Sequence, residues 1–157
     1  MERKEINFLD FKRINVIGCP GAGKSTASKR ISQLTGYPIF DLDIILYNEN
    51  CKRLDKYKTE QAIDCILQKE QFIIDGTYTT TLKKRLLAID LVVIIDSNWI
   101  LSIYRFFKRL FYNQGLKCGE KLTFKTLMLL VLYPLKTKPL IMKEITNCKV
   151  FFINYSR

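Results

Sequence analysis

The segment from Gly18 to Ser25 combines glycines, a lysine and a serine at a spacing that can bind phosphate. Its sequence, GCPGAGKS, fits the pattern G-x-x-x-x-G-K-[ST]. In this pattern the glycines let backbone N–H groups turn toward a polyphosphate, the lysine reaches the β- and γ-phosphates, and the hydroxyl binds Mg²⁺. The residues predicted to do this are Gly18, Gly21, Gly23, Lys24 and Ser25.

The residues on either side of this segment have the patterns of a strand and a helix. Residues 14–17 are mostly β-branched and are followed by a glycine, which indicates a short buried strand. After the loop, Ala27, Ile31 and Leu34 recur at helical spacing, and Gly36 follows where a helix would end. A phosphate-binding loop requires this order of strand, loop and helix N-terminus. The alternative is a Gly-rich turn before a helix, with an incidental lysine.

Two carboxylates follow the next predicted strand, residues 37–40. Asp41 and Asp43 are two residues apart, and on an extended segment their side chains share one face. Ligands bind at the carboxyl ends of the strands in α/β proteins. Since the chain contains no histidine, a general base must be a carboxylate or a lysine. Asp43 is our candidate base for an acceptor hydroxyl, with Mg²⁺ on the side of Asp41. The alternative is that Asp43 caps the segment that follows.

A third candidate carboxylate, Asp75, follows the apolar residues 72–74 and precedes Gly76. An acid at the end of a buried strand is typical of a Walker-B position, which lies beside the metal. The alternative is a turn, because Asp-Gly pairs favour turns. The predicted metal ligands are therefore Ser25, Asp41 and Asp75.

Positive charge is concentrated in the later part of the chain, whose overall net charge is +11. Residues 104–149 hold ten Lys or Arg against two Glu, a net charge of +8. Such a segment suits an anionic partner, either nucleotide phosphates or nucleic acid bound without sequence specificity. Within it, Arg105 and Arg109 lie four residues apart and face the same way on a predicted helix at 98–112. They are either phosphate-binding residues or part of a solvated face.

Composition excludes several classes of protein. Without histidine there is no Ser-His-Asp triad and no His-ligated metal site. The five cysteines show no C-x-x-C spacing, which indicates reduced thiols. The charged N-terminus has no apolar signal region, and the longest apolar run, residues 127–133, is too short to cross a bilayer. We therefore expect a cytoplasmic protein that does not associate with a membrane.

The middle of the chain alternates between predicted helices and strands. Residues 47–58 are polar and predict a loop before the next helix, which we expect to begin at Thr59. The apolar run at 91–95 is typical of a central parallel strand. Asp96 is expected to cap the helix at 98–112, whose predicted buried residues are Ile100, Ile103, Phe107, Leu110 and Phe111.

A helical lid region is predicted in the last third of the chain. A Gly-containing loop at 113–121 precedes two apolar helices, 122–133 and 138–146, which we expect to be broken near Pro134 and Pro139.

The alternation of strands and helices predicts a three-layer α/β fold with a mainly parallel five-stranded sheet. Residues 150–153 provide the last strand. We expect one domain over residues 1–157, in which residues 104–146 form the basic helical lid region.

The order of these motifs resembles that of the adenylate-kinase-like P-loop kinases. The P-loop is followed by FDLD at 40–43, by FIIDGTY at 72–78, and by a basic helix and the predicted lid. The strongest resemblance is to the bacterial DNA topology modulation proteins, and it covers residues 13–157. It implies a P-loop NTPase fold that uses ATP and Mg²⁺, and it adds Ala22 and Thr26 to the triphosphate site.

The resemblance also implies roles for individual residues. The segment DLD at 41–43 is similar to the D-x-D of shikimate-kinase-like enzymes, where the first acid helps hold the water shell of the metal and the second faces the acceptor hydroxyl. Adenylate kinases have F-P-R where residues 77–79 of this chain are TYT, so their arginine for the acceptor phosphate has no counterpart. Arg85 is the nearest basic residue that matches the topology modulation relatives.

Two functions fit these features. One is a phosphotransferase that moves the γ-phosphate of ATP to an unidentified small-molecule acceptor, with Lys24, Asp43, Arg105 and Arg109 as catalytic residues. The other is a nucleotide-regulated DNA-binding protein that uses residues 104–149. A D-x-D beside a P-loop serves the first function and has no use in the second. Since no helix-turn-helix, zinc-finger or RNA-binding motif is present, we favour the phosphotransferase.

Overall fold

A computed structural model of the protein describes residues 6–50, 52–111, 128 and 130–154. Five strands form one parallel sheet in the order β2-β3-β1-β4-β5. Their bounds are β1 Arg13–Gly18, β2 Ile39–Asp41, β3 Phe72–Asp75, β4 Leu91–Asp96 and β5 Val150–Asn154. The predicted three-layer fold with a five-stranded parallel sheet is confirmed.

Helices follow the strands in chain order. Their bounds are α1 Lys24–Thr35, α2 Leu42–Ile45, α3 Lys56–Leu67, α4 Thr79–Leu86, α5 Trp99–Phe111 and α6 Lys138–Glu144. A short 3₁₀ turn, Phe8–Asp10, precedes β1, and a π-helical segment, Tyr133–Thr137, leads into α6.

The strand β3 shows how the sheet is covered on both faces. Phe72 and Ile74 are buried in one apolar cluster with Ile63 and Ile66 of α3. Ile73, which points to the opposite face, belongs to a second cluster that includes Ile31 of α1. Alternate residues of one strand thus pack against helices on opposite sides, which defines the three layers.

The helix α3 begins earlier than predicted. Asp55 caps it, its side chain accepting a hydrogen bond from the backbone N–H of Lys58 at 2.8 Å, so the helix starts at Lys56 rather than Thr59. Within the predicted loop at 47–58, a β-bridge pairs Tyr47 with Arg53. Polar residues in a first helical turn resemble a loop in sequence, which explains the difference.

The cap of α5 is also different from the prediction. Asn98 Oδ1 accepts a hydrogen bond from the backbone N–H of Ile100 at 3.0 Å, so Asn98 and not Asp96 caps the helix. Asp96 instead accepts a hydrogen bond from Lys138 Nζ at 2.9 Å, which ties the end of β4 to the first residue of α6.

The buried face of α5 differs from the predicted one. Ser102 and Phe106 are buried, whereas Ile100 and Phe111 are exposed to 62% and 85%. Ile103 and Phe107 are half-buried, and the side chain of Leu110 lies outside the described part of the structure. The prediction was wrong at Ile100 and Phe111, whereas Ile103 does pack against the main apolar cluster. The helix packs against the loop at 19–23, as shown below, and not only against the apolar sheet.

The two prolines near the end of the chain do not interrupt the helical path. Residues 130–144 are helical throughout, with Pro134 in the first turn of the π-helical segment and Pro139 in the first turn of α6. The π-helical segment thus interrupts regular α-helix near Pro134, as predicted, whereas the break predicted near Pro139 is wrong, because a missing N–H is tolerated in the first turn of α6. The predicted loop at 113–121 lies outside the described residues. Across the described residues, no helix has the length and apolar character needed to traverse a bilayer.

Candidate functional site

The candidate site lies at the carboxyl edge of the sheet, where β1 leads into α1. Gly21 and Gly23 adopt positive φ values of 81° and 99°, and Gly23 caps the N-terminus of α1. Ala22 is buried, and its N–H donates to Cys19 O at 3.1 Å, which closes the loop on itself. The left-handed backbone explains why glycines occupy these two positions. The loop therefore curls around the first turn of α1, where an anion would be bound.

The helix α5 supports this loop from behind. A Cβ atom added at Gly21 would lie 2.2 Å from the carbonyl oxygen of Ser102, so only glycine fits at this approach. Ser102 is buried, and its hydroxyl oxygen lies 2.6 Å from that of Ser97. Ser102 belongs to no recognisable motif, and no local sequence pattern indicated its contact with the loop. The position of the loop therefore depends on a helix about eighty residues later in the chain.

We expect Gly21→Ala to destabilise the domain by about 3 kcal/mol or more, because it adds a backbone clash to the cost of a left-handed alanine. Gly36→Ala is the matched control. Gly36 has a similar φ of 76° but nothing within 4 Å of an added Cβ, so only the conformational cost of about 1–2 kcal/mol remains. Urea unfolding of both variants measures the difference. Equal losses would show that α5 does not support the loop.

Lys24 lies over the loop that it is predicted to serve. Its Nζ donates a hydrogen bond to Cys19 O at 3.0 Å, and its side chain is half-buried. Burial raises the pKa of the Cys19 thiol to about 11, although the nearby Lys24 charge acts in the opposite direction. The thiol is therefore neutral at physiological pH and does not compete with phosphate for the lysine. Ser25 is half-buried in the first turn of α1, and Thr26 beside it is exposed.

The carboxylates Asp41 and Asp75 end two neighbouring strands and are direct partners in the register of β2 and β3. Partners in a parallel pair point to the same face, so both carboxylates belong to one edge of the sheet. Asp75 is buried, with 3% of its surface exposed. Its neighbour Gly76 donates its N–H to Val16 O at 3.1 Å, so the segment continues the pairing with β1 instead of forming a tight turn.

These oxygen donors suit Mg²⁺, which takes one or two carboxylates and completes its shell with water and phosphate oxygens. The described residues contain no cluster of three or more Asp, Glu, Cys or His that would hold a metal by protein groups alone. A nucleotide-assisted site built from Ser25, Asp41 and Asp75 is consistent with both observations.

The geometry predicted for Asp41 and Asp43 was wrong. The strand β2 ends at Asp41, and Asp43 lies in the first turn of α2, so the two do not share a face of an extended segment. Asp41 is the N-cap of α2 and accepts a hydrogen bond from the N–H of Asp43 at 2.9 Å. The capping role considered for Asp43 therefore belongs to Asp41.

The side chain of Asp43 contacts Tyr78. Tyr78 Oη donates a hydrogen bond to Asp43 Oδ1 at 2.8 Å and lies 3.4 Å from Tyr47 Oη. Burial, followed by the charge of Asp43, raises the pKa of Tyr78 far above its usual value, so the phenol keeps its proton. The guanidinium of Arg53 lies over the Tyr78 ring, 5.4 Å from its centre. Tyr78 and Arg53 were not predicted as site residues.

Thr77 joins this segment to the phosphate-binding loop. Its hydroxyl donates to Gly18 O at 2.7 Å and lies 3.2 Å from Gly18 N, which donates to it. The contact depends on the pairing of β1 with β3, which a local pattern cannot reveal. Thr77 therefore fixes the distance between the loop and the residues that follow β3.

Arg85 also binds the segment that follows β3, residues 76–78. It is fully buried, and its donors contact Thr81 Oγ1, Asn15 Oδ1 and the carbonyl oxygens of Gly76, Thr77 and Tyr78. These five neutral acceptors match the five N–H donors of a guanidinium. Burial lowers the pKa of Arg85 to about 9, and the group stays charged at neutral pH. Arg85 therefore holds the backbone of residues 76–78 from within the core and is not an exposed basic residue.

The structure brings Lys24, Ser25, Asp41, Asp43 and Asp75 to one edge of the sheet. Arg105 is exposed on α5, and the backbone of Arg109 lies one turn further along the same helix, its side chain outside the described part. Their predicted role at the phosphoryl group remains a prediction.

Comparisons with family models and with curated proteins give no match. Solved structures do match. A shikimate kinase from Acinetobacter baumannii in complex with shikimate is 15% identical, with a TM-score of 0.62 over 96% of this chain and 87% of that one. A gluconokinase from Sinorhizobium meliloti 1021 is 13% identical, with a TM-score of 0.58 over 93% and 83%. A deoxyadenosine kinase from M. mycoides is 18% identical, with a TM-score of 0.51 over 89% and 88%. The chain has the fold of the P-loop kinases.

Identities this low establish a shared fold and leave the substrate open. The neighbours are kinases of chemically different small molecules, so they do not identify an acceptor. They also give no support to a link with the DNA topology modulation proteins.

Proposed function

We propose that the protein is an ATP-dependent phosphotransferase that moves the γ-phosphate of ATP to a hydroxyl group of a small molecule. The observation that carries the proposal is the convergence of Lys24, on the phosphate-binding loop, with three carboxylates at one sheet edge. A site that only bound nucleotide would not need Asp43, whose side chain neither caps a helix nor forms an ion pair in the described residues.

Bound MgATP supplies the transferred phosphoryl group and a leaving group whose charge the metal offsets. The Lys24 ammonium binds the β- and γ-phosphates once it leaves Cys19 O, and the N-terminus of α1 adds its partial positive charge. Ser25, Asp41 and Asp75 would hold the metal and its water ligands. Asp43 takes the proton of the acceptor hydroxyl as the new bond to phosphorus forms.

Arg105 and Arg109 are proposed to stabilise the charge of the transferred group from α5. The helix is well placed for this role because Ser102 on it contacts Gly21 of the loop. We further propose that residues 1–157 form one catalytic unit and that 104–146 provide its lid.

The test is incubation with γ-labelled ATP and a panel of nucleosides, nucleotides, sugars and shikimate-like alcohols, with product detected by its label. We expect a labelled acceptor and a much lower turnover when Arg105 and Arg109 are both replaced by alanine, with ATP affinity nearly unchanged. DNA binding is measured in parallel at several salt concentrations. Intact turnover together with lost salt-dependent DNA binding in that double variant would favour the nucleic-acid function, which now rests on net charge alone.

A further inference from the structure

The hydroxyl of Tyr78 is hydrogen-bonded to one of the two carboxylate oxygens of the proposed base. A phenol has one proton, and the 2.8 Å contact with Asp43 Oδ1 takes it, because an ionised carboxylate can only accept. Tyr47 Oη lies 3.4 Å from the same hydroxyl, a longer contact than the one with Asp43. Asp43 is therefore already hydrogen-bonded before any acceptor arrives.

The backbone at Tyr78 is anchored, so the hydroxyl is the part of the residue that an acceptor can displace. The backbone carbonyl of Tyr78 accepts a hydrogen bond from Arg85 Nη2 at 2.9 Å, and the preceding Thr77 is bonded to Gly18. The ring is covered by Arg53, which also donates to Thr80 Oγ1 at 3.4 Å. These contacts place the Tyr78 hydroxyl next to Asp43.

In every phosphotransferase, water competes with the acceptor hydroxyl for the transferred phosphoryl group. A water molecule beside the γ-phosphate becomes a nucleophile when a base takes its proton, and it is present at far higher concentration than any substrate. We propose that Tyr78 is a specificity-determining residue that occupies Oδ1 of Asp43, the oxygen we assign as the base, until an acceptor hydroxyl displaces it, and thereby suppresses hydrolysis of ATP. This proposal rests on the proposed function, because it assigns the γ-phosphate and the base to that site.

The suppressed reaction is fully defined. The water oxygen forms a bond to the γ-phosphorus, its proton passes to Asp43, and the bond from the γ-phosphorus to the bridging oxygen breaks, which releases ADP and phosphate. Tyr78 does not take part as a nucleophile, since burial and the charge of Asp43 raise its pKa and keep it protonated. It acts only by holding the carboxylate.

The experiment measures ATP hydrolysis by the full chain with MgATP and no acceptor. Tyr78→Phe keeps the ring beneath Arg53 and removes only the hydroxyl. We expect hydrolysis to rise about tenfold or more, because general base catalysis is worth roughly a hundredfold or more when a water can reach the base. Adding Asp43→Asn to this variant should abolish the rise. Tyr57→Phe, at a tyrosine that is 69% exposed, is the matched control and should hydrolyse ATP like the parent.

Two results overturn the proposal while leaving the proposed function intact. One is a Tyr78→Phe variant that binds MgATP by calorimetry but hydrolyses it no faster than the parent. The other is a rise that persists when Asp43 is replaced, since Tyr78 would then act by another route. A parent chain that fails to bind MgATP contradicts the proposed function instead.

A second measurement needs no nucleotide. In the chain labelled with fluorotyrosine, the Tyr78 ¹⁹F resonance is the one lost in Tyr78→Phe. We expect Asp43→Asn to shift this resonance and Tyr57→Phe to leave it in place, because only the first change alters the partner of the hydroxyl. An unmoved resonance would show that the phenol does not hold Asp43, and the proposal would fail whatever the activity.

Discussion

Lys24→Ala is expected to weaken MgATP binding on the order of a hundredfold while the domain stays folded. A charge-assisted hydrogen bond is worth roughly 1.5–3 kcal/mol, and Lys24 can contact two phosphates. The ammonium donates a hydrogen bond to Cys19 O at 3.0 Å, so it is held next to the loop. The side chain is only half-buried, and its truncation leaves no unpaired charge in the core. Isothermal titration calorimetry gives the affinity, and urea unfolding gives the stability.

Lys29→Ala is the control for this result. Lys29 lies on the same helix and is exposed, so the substitution removes the same charge without touching the loop. We expect its MgATP affinity to stay within about twofold of the parent, because a distant exposed charge is screened by salt. If Lys24→Ala bound MgATP as tightly as Lys29→Ala, the phosphate-binding assignment of residues 18–26 would be wrong.

The parts of the fold that follow from local patterns were predictable. The helix α1 ends at Thr35 because Gly36, with φ 76°, adopts the left-handed conformation that its sequence position indicated. The apolar run at 91–95 became the buried core of β4, next to the central strand β1. These signals lie in consecutive residues and need no knowledge of distant contacts.

The parts that depend on close packing between distant segments were not predictable. The face of α5 was assigned from its largest apolar residues, yet the structure buries Ser102, because a small side chain permits contact with the backbone of Gly21. Arginine is usually exposed, yet Arg85 lies in the core, because three carbonyl groups at 76–78 accept hydrogen bonds from it. Hydrophobic patterns carry no information about either arrangement.

The same limit applies to the carboxylates. The pair Asp41 and Asp43 was found from its spacing, but the spacing could not show that a helix begins between them. An N-cap aspartate and a residue in the first turn have the same sequence pattern as two residues on an extended edge. The structure separates their roles, since Asp41 holds the helix and Asp43 contacts Tyr78. The substitution Asp43→Asn therefore tests the proposed base without removing the cap of α2.

Asp43→Asn should reduce turnover by roughly two orders of magnitude or more and leave MgATP affinity unchanged. The amide has the same shape, and its oxygen can still accept the hydrogen bond from Tyr78, but it cannot take the proton of an acceptor hydroxyl. Asp55→Asn provides the control, because the Asp55 side chain caps α3 by accepting from the N–H of Lys58, and an amide also caps. Turnover is measured by steady-state kinetics with the acceptor that γ-labelled ATP identifies. Calorimetry gives the MgATP affinity, and urea unfolding gives the stability.

Turnover close to that of Asp55→Asn would show that Asp43 is not the base. A fall in turnover with affinity and stability unchanged would identify the proton transfer itself as the lost step, because the contacts that hold the nucleotide and the fold would remain.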